Sequence, residues 1–209
     1  MKLIRLSLFV FIFLSLNAEA QLTYNGIIVP GTLKLDNTEL VLNGGGIRKK
    51  LFFKLYTAGL FVTAKTKNAS EIINADKATA IRMTITSSVL NSSNMSEAIQ
   101  EGFGKSLKGN TAPLQSKIDA FIDIFKKDDI KEGDVFEIWY TSAEGVRGYK
   151  NGKLKGTVTG LDFKKALFGI WLSDTPVDAD LKKAMLSNRT DATIPMVVNT
   201  ATLDAAIRT

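Results

Sequence analysis

The chain of 209 residues contains neither cysteine nor histidine. Without cysteine it can form no disulfide, so its core must hold the fold together unaided. Without histidine it can build neither a Ser-His-Asp nor a Cys-His catalytic system, and zinc sites with imidazole or thiolate ligands are excluded as well. Any proton transfer would use carboxylate, lysine, tyrosine or water. We expect no bound metal and no cofactor.

The chain also lacks a concentrated block of charge of one sign. Its 27 Lys and Arg residues face 21 Asp and Glu residues, which gives a net charge of +6. The two signs are interspersed along the sequence, a pattern typical of a solvated surface rather than of a nucleic-acid-binding stripe. We therefore expect no nucleic-acid partner.

Long hydrophobic runs are scarce, and the most apolar one is at the N-terminus, from Leu6 to Leu16. It is about half as long as the roughly 20 residues that a bilayer-spanning helix needs. Basic Lys2 and Arg5 precede it and the small-residue triplet Ala-Glu-Ala at 18–20 follows, a combination typical of a cleavable secretory signal. The sequence predicts a signal peptide over 1–20 and an exported protein that is not an integral membrane protein. Its location would be the periplasm in a Gram-negative bacterium and otherwise the medium.

The remaining 189 residues (209 − 20) suit one domain with a self-sufficient core. We predict a single domain over 21–190 and a C-terminal extension over 191–209. Short strands separated by tight turns are expected between 21 and 66, with the longest strand over 51–64. The segment 78–88 alternates apolar and polar residues, which predicts a strand with one buried face.

Helical periodicity dominates the middle of the chain and returns near its end. One helix is expected to begin at Asn94 or Ser96, and a second to cover 113–126. Strands follow around Asn151-Gly152, a dipeptide typical of a tight hairpin. Two late helices are expected over 162–172 and 178–186. This order predicts an α+β fold in which an antiparallel sheet carries its helices on one face.

The segment Leu42-Asn-Gly-Gly-Gly-Ile-Arg48, with the strand Phe53–Leu60 after it, resembles the glycine-plus-arginine segment and following strand of the chalcone-isomerase superfamily. The resemblance continues through the helix at 95–101, the Asn151-Gly152 hairpin and the late helix at 166–172. It implies a chalcone-isomerase-like open-faced sandwich with an apolar cleft between the sheet and the helices.

Arg48 matches the family arginine that points into this cleft. A guanidinium stays charged at any working pH and can bind a carboxylate or phenoxide through two parallel hydrogen bonds. The three glycines before it would allow the backbone to approach a ligand closely. The residues by themselves also fit a surface arginine paired with an acidic neighbour, and the family resemblance favours the ligand-binding interpretation.

Tyr56 is the second candidate, because a tyrosine joins the arginine at the carboxylate in fatty-acid-binding members of the superfamily. It also fits an ordinary core tyrosine on a sheet face. Thr84 is the third, as a polar residue of the strand in which plant-type enzymes carry a lysine. We expect Arg48, Tyr56 and Thr84 to bind the ligand.

Plant-type chalcone isomerases add further polar groups that this sequence lacks. Their helix tyrosine and asparagine correspond here to Met95 and Gly102, and the Ser/Thr of their late helix falls near Phe163. Since those groups position a substrate ketone and stabilise charge, their replacement argues against catalysis.

Three functions follow as hypotheses. The first is an exported, non-enzymatic binder of a fatty acid or a similar small amphipathic acid. The alternative is an intramolecular lyase of the chalcone-isomerase type that acts on a conjugated phenolic substrate. The third is a structural or interaction module whose cleft is collapsed.

Overall fold

The computed structural model describes residues 21–126 and 128–188 of the chain. The predicted signal peptide at 1–20 and the predicted extension at 191–209 lie outside the described residues. Within the described ranges, no helix combines the length and the apolar character that crossing a bilayer would require.

The strands of the described ranges form two antiparallel sheets. They are β1 (Leu22–Tyr24), β2 (Ile27–Val29), β3 (Thr32–Leu35), β4 (Thr38–Lys50), β5 (Phe53–Val62), β6 (Thr79–Ile85), β7 (Val135–Thr141), β8 (Gly145–Lys150) and β9 (Lys153–Val158). The first two form a separate hairpin, and β3 to β9 lie side by side in chain order. The prediction of an antiparallel sheet is confirmed.

The helices are α1 (Ala69–Asn74), α2 (Ser92–Ser106), α3 (Gln115–Lys126), α4 (Leu161–Leu172) and α5 (Ala179–Met185). Their buried residues form one core with one face of the large sheet, which includes Ala58 and Ile138. The rings of Phe103, Phe121 and Phe163 pack in this core with centroids 5.5 to 6.2 Å apart. The fold is therefore α+β with a helix layer on one face, as predicted.

The opposite face of the sheet carries a smaller core. Phe61, Ala80 and Trp139 from three central strands pack there with Leu22 and Val29 of the β1–β2 hairpin. The N-terminal hairpin thus covers part of the face that the helices leave open, and both faces of the central strands are buried.

The prediction that 51–64 is the longest strand was wrong. The longest is β4, with 13 residues, and the glycine run lies inside it rather than in a turn. A Cβ at Gly44 would come within 2.3 Å of the carbonyl oxygen of Ala184, and one at Gly46 within 2.9 Å of the Cβ of Ala184. The missing side chains therefore allow α5 to pack closely on β4, and it is this helix rather than a ligand that approaches the glycine backbone.

Helix α2 begins at Ser92, a little earlier than expected from either Asn94 or Ser96. The side chain of Asn91 caps it by accepting a hydrogen bond from the backbone N–H of Asn94 at 2.9 Å. Asparagine is among the preferred residues at this position because its side-chain oxygen satisfies an otherwise unpaired N–H group.

Candidate functional site

Arg48 and Tyr56 are direct partners across the β4–β5 ladder. Residues directly opposite each other in an antiparallel pair project from the same face of the sheet. Tyr56 is buried in the core that the sheet shares with the helices. The structure therefore brings together, on the helix-facing side, two of the three residues that the sequence singled out.

An apolar cavity of about 60 Å³ lies between this face and the helix layer. Arg48, Tyr56 and Trp171 contribute polar groups to its lining, and Lys50 and Glu101 also border it. The other lining side chains are apolar and include Met83, Leu90, Met95, Ile99, Phe121 and Phe125. The cavity thus combines an apolar interior with a small set of hydrogen-bonding groups, as ligand sites commonly do.

Tyr56 is held in place by Trp171 of α4, whose indole Nε1 donates a hydrogen bond to the tyrosine oxygen at 3.0 Å. Burial raises the pKa of Tyr56, while this hydrogen bond and the positive charge of Arg48 partly oppose the increase. The phenol is therefore neutral at ordinary pH and keeps its proton. No described residue accepts that proton in a hydrogen bond, so Tyr56 can donate it to a ligand in the cavity.

Arg48 forms an ion pair with Asp178, the residue that precedes α5. Its Nη1 lies 3.3 Å from the Oδ2 of Asp178 and also donates to the carbonyl oxygen of Lys49. The two paired side chains are only 15% and 11% exposed. Arg48 therefore does have an acidic neighbour, as one interpretation of the sequence expected. The same arginine also lines the cavity.

Asp178 is firmly held in its charged form. Its carboxylate accepts hydrogen bonds from the backbone N–H of Lys49 at 3.1 Å and, as the cap of α5, from that of Leu181 at 3.0 Å. Burial acts to raise the pKa of Asp178, but these bonds and the contact with Arg48 outweigh it and lower the pKa. The sequence indicated Asp178 as the start of a helix and gave no signal for its pairing with Arg48.

The ion pair leaves part of the guanidinium available. An arginine side chain has five N–H donors. The hydrogen bonds to Lys49 and Asp178 both use Nη1, and the guanidinium also donates a hydrogen bond to the hydroxyl oxygen of Tyr56. These partners leave N–H donors of Arg48 for a second carboxylate.

Thr84, the third predicted site residue, lies on the other face of the sheet. It pairs with Thr57, whereas its neighbour Ile85 pairs with Tyr56. Because successive strand residues point to opposite faces, Thr84 projects away from Tyr56, and it does not line the cavity. We therefore leave Thr84 out of the proposed site.

The positions that carry polar catalytic groups in plant-type enzymes make apolar contacts here. Met95 lines the cavity. A Cβ at Gly102 would come within 2.8 Å of Ile170, so α2 and α4 approach each other closely at this point. Phe163 is fully buried among aromatic rings. Among the described residues, no group of three or more acidic side chains could hold a metal ion.

A wider groove of about 320 Å³ adjoins the cavity. The two share Lys50, Leu55, Leu90, Ala98 and Glu101 in their linings. At this shared border, the Nζ of Lys50 lies 3.7 Å from the carboxylate of Glu101, and both side chains are largely exposed. The site therefore consists of a small inner cavity and a larger, solvent-facing groove.

Comparison with known proteins agrees with this fold. A family model described as chalcone isomerase-like matches residues 21–187. The crystal structure of a fatty-acid binding protein from Arabidopsis thaliana superposes with a TM-score of 0.62 at 18% sequence identity, covering 79% of this chain and 94% of that one. At this identity the similarity shows a shared fold. No curated protein matches the sequence significantly.

Proposed function

Because the chain belongs to the chalcone isomerase-like family, we propose that it is an exported binder of a fatty acid or a similar small amphipathic acid. The observation that carries this proposal is the position of Arg48 and Tyr56, cross-strand partners that border an apolar cavity. The plant protein of the same fold is named as a fatty-acid binding protein, which supports the choice of ligand class.

The two residues suit a carboxylate head group. Arg48 supplies a permanent positive charge and N–H donors beyond those that bond to Lys49, Asp178 and Tyr56, and Tyr56 supplies a neutral O–H. A hydrogen bond to a charged group contributes about 1.5–3 kcal/mol. Each methylene buried in the cavity would add roughly 0.8 kcal/mol. The alkyl chain therefore provides most of the affinity, and Arg48 selects acids over neutral lipids.

The inner cavity must widen to accept an alkyl chain. Its volume of about 60 Å³ is below the roughly 300–1,000 Å³ of typical small-molecule sites. Met83 and Met95 line it, and methionine side chains are unbranched and adapt readily to new neighbours. We propose that the chain enters through the outer groove and that these two side chains move aside.

Calorimetric titration with dodecanoic acid tests the proposal. Arg48→Gln should weaken binding about 10- to 100-fold, which corresponds to the charged hydrogen bond it removes. Tyr56→Phe should weaken it by a smaller factor. Arg82→Gln is the matched control. Like Arg48, Arg82 forms an ion pair, in its case with Glu137 on the neighbouring strand, but it does not line the cavity.

Dodecanol provides a second comparison, since it has the same chain without the charge. The wild-type protein should prefer the acid, and Arg48→Gln should lose that preference. If no acid of eight to eighteen carbons binds, or if Arg48→Gln and Arg82→Gln bind equally well, the head-group assignment is wrong.

Export can be tested separately from binding. The proposal predicts that the protein recovered from outside the cytoplasm begins at Gln21, and intact-mass measurement gives this directly. A chain that keeps Met1 in the cytoplasmic fraction would contradict export and leave the binding proposal unaffected.

The pairing of Arg48 with the neutral phenol of Tyr56 also supports the alternative of an intramolecular lyase. Both groups could stabilise an oxyanion during ring closure of a conjugated phenol. Loss of chalcone absorbance faster than in buffer, and slowed by Arg48→Gln, would favour that function over simple binding.

A further inference from the structure

The hairpin between β4 and β5 ends in two exposed apolar residues. Lys50 pairs with Phe53, so Leu51 and Phe52 alone form the loop. Leu51 is 86% exposed and Phe52 is 99% exposed. No residue within 21–126 or 128–188 buries either side chain, and exposed apolar groups of this size contribute little to stability.

The backbone of this loop makes the choice of residues more unusual. Leu51 has φ +55°, in the left-handed region that glycine, asparagine and aspartate adopt most readily. Two-residue hairpin loops accordingly favour sequences such as Asn-Gly. A branched apolar residue at this position works against local folding preference, and such departures point to a role outside folding.

Three other two-residue hairpin loops in the described ranges follow the usual rule. They are Asn25-Gly26, Asp36-Asn37 and Asn151-Gly152, and each has its first residue at φ +50° or +51°. The same chain therefore uses the favoured chemistry at three hairpins and replaces it with leucine and phenylalanine at the fourth.

Exposed lysines flank this apolar pair. Lys49 and Lys50 precede it, and Lys54 follows it after Phe53. Lys50 lies near Glu101, and the Nζ of Lys54 donates to the side chain of Asn25. Large apolar groups surrounded by lysine are typical of segments that enter the interface of an anionic bilayer, where lysines contact phosphate groups.

The apolar pair also lies at the entrance of the proposed site. Leu51, Phe53 and Val89 line the outer groove, and Phe53 and Val89 are 48% and 42% exposed. A protein partner would normally bury about 800 Å² on each side, far more than two side chains at a loop offer. Insertion into a lipid surface requires no such area.

We propose that Leu51 and Phe52 insert into the surface of an anionic phospholipid bilayer, with Lys49, Lys50 and Lys54 against the lipid head groups. Docking in this way places the outer groove against the membrane, where an amphipathic acid can pass between bilayer and cavity. That transfer rests on the proposed function, whereas the docking itself does not.

A tryptophan introduced at the loop tests the docking in the full chain. The chain contains two tryptophans, Trp139 and Trp171, which are 0% and 6% exposed, so they are shielded from quenchers in lipid. Phe52→Trp protein is mixed with vesicles of phosphatidylglycerol and phosphatidylcholine that carry brominated acyl chains. We expect the fluorescence emission of the new indole to shift to the blue and to be quenched at least twofold. Both effects should largely disappear with phosphatidylcholine alone or at 0.5 M salt.

Leu154→Trp is the matched control. Leu154 is 54% exposed and lies beside the Asn151-Gly152 hairpin, at the same end of the sheet but on its far edge strand. Its indole should not be quenched. Equal quenching at 52 and 154, or no quenching at 52, overturns the proposal. A blue shift at 52 that depends on protein concentration without lipid would indicate self-association and overturn it as well.

The single variant Phe52→Gly separates docking from folding, and it keeps Leu51, which lines the outer groove. It places glycine at the second loop position, as in Asn25-Gly26 and Asn151-Gly152, so its thermal midpoint should equal or exceed that of the wild type. Dodecanoic acid in buffer should bind it unchanged, while the rate of acid transfer from anionic vesicles should fall at least tenfold. An unchanged transfer rate excludes docking through this loop. If no acid binds in buffer, the proposed function fails, and the quenching experiment still decides the docking.

Discussion

Arg48 and Asp178 are 130 residues apart in sequence and form an ion pair, with 3.3 Å between Nη1 and Oδ2, beside the apolar cavity. Asp178 presents to the guanidinium the same chemical group that a fatty acid would bring. The protein's own carboxylate therefore competes with the proposed ligand for Arg48, and its removal should change the affinity in a defined direction.

Asp178→Asn is expected to strengthen binding of dodecanoic acid at least threefold. The neutral amide no longer neutralises Arg48, so more of its charge is available to the ligand. Asparagine is as good a helix cap as aspartate, so α5 should keep its start, and the free energy of unfolding should fall by about 1.5–3 kcal/mol through loss of the charged hydrogen bond to Arg48. Calorimetric titration and urea unfolding measure the two effects.

Asp162→Asn serves as the control for that variant. Asp162 pairs with Lys117 at 2.8 Å on the outside of the helix layer and does not line the cavity. Its replacement should leave the affinity unchanged. Weaker binding by Asp178→Asn would show instead that the ion pair holds Arg48 in the orientation that the ligand needs.

The sequence predicted the antiparallel sheet and the helix layer well, because the period of apolar residues and the turn dipeptides are local signals. It misplaced the longest strand, since a run such as Gly44 to Gly46 ordinarily indicates a turn. Only the contact with α5, which comes from residues far along the chain, explains why these glycines lie inside β4.

The site was predictable in part. Arg48 and Tyr56 followed from the family resemblance, and their pairing across the strands brings them together. Thr84 lies on the other face of the sheet, a position that its alternation with Ile81, Met83 and Ile85 in the sequence already indicates. Asp178 and Trp171 could not be assigned, since their roles depend on how α4 and α5 pack on the sheet.

Gly44→Ala should destabilise the protein by about 1–3 kcal/mol, the usual cost of forcing an extra group into a packed interior. The new methyl group would meet the backbone carbonyls of Ala184 and Met185, which cannot rotate away as a side chain would. Because α5 carries Asp178 at its start, its displacement should also disturb the ion pair with Arg48. Urea unfolding measures the loss.

A second glycine provides the comparison for this variant. Gly104 lies in α2, and a Cβ there would meet nothing within 4 Å. Gly104→Ala should therefore stabilise the protein by about 0.5–1 kcal/mol, as alanine does in a helix. If both alanine variants shift stability in the same direction, the close packing of α5 on β4 is not what requires glycine at 44.

Lys164 is fully buried in α4 and its Nζ donates to the carbonyl oxygens of Ile72, Ile73 and Ala75 at the end of α1. Burial lowers the pKa of Lys164 to about 8, against a smaller opposing effect of Asp76. Lys164→Met keeps the length of the side chain but leaves these carbonyls without their donor. A buried polar group without a partner costs about 1–3 kcal/mol. We therefore expect the free energy of unfolding at pH 7 to fall by at least that amount.

The same lysine should make stability depend on pH in a particular direction. Its pKa is about 8 in the folded protein and 10.5 in the unfolded chain. Between these values the unfolded chain binds more protons, so the free energy of unfolding rises with pH. Between pH 7.5 and 9.5, the free energy of unfolding measured in urea should increase more for the wild type than for Lys164→Met, which lacks the titrating group. Equal gains in the two proteins would mean that Lys164 keeps its proton over this range and that its three carbonyl partners outweigh the effect of burial.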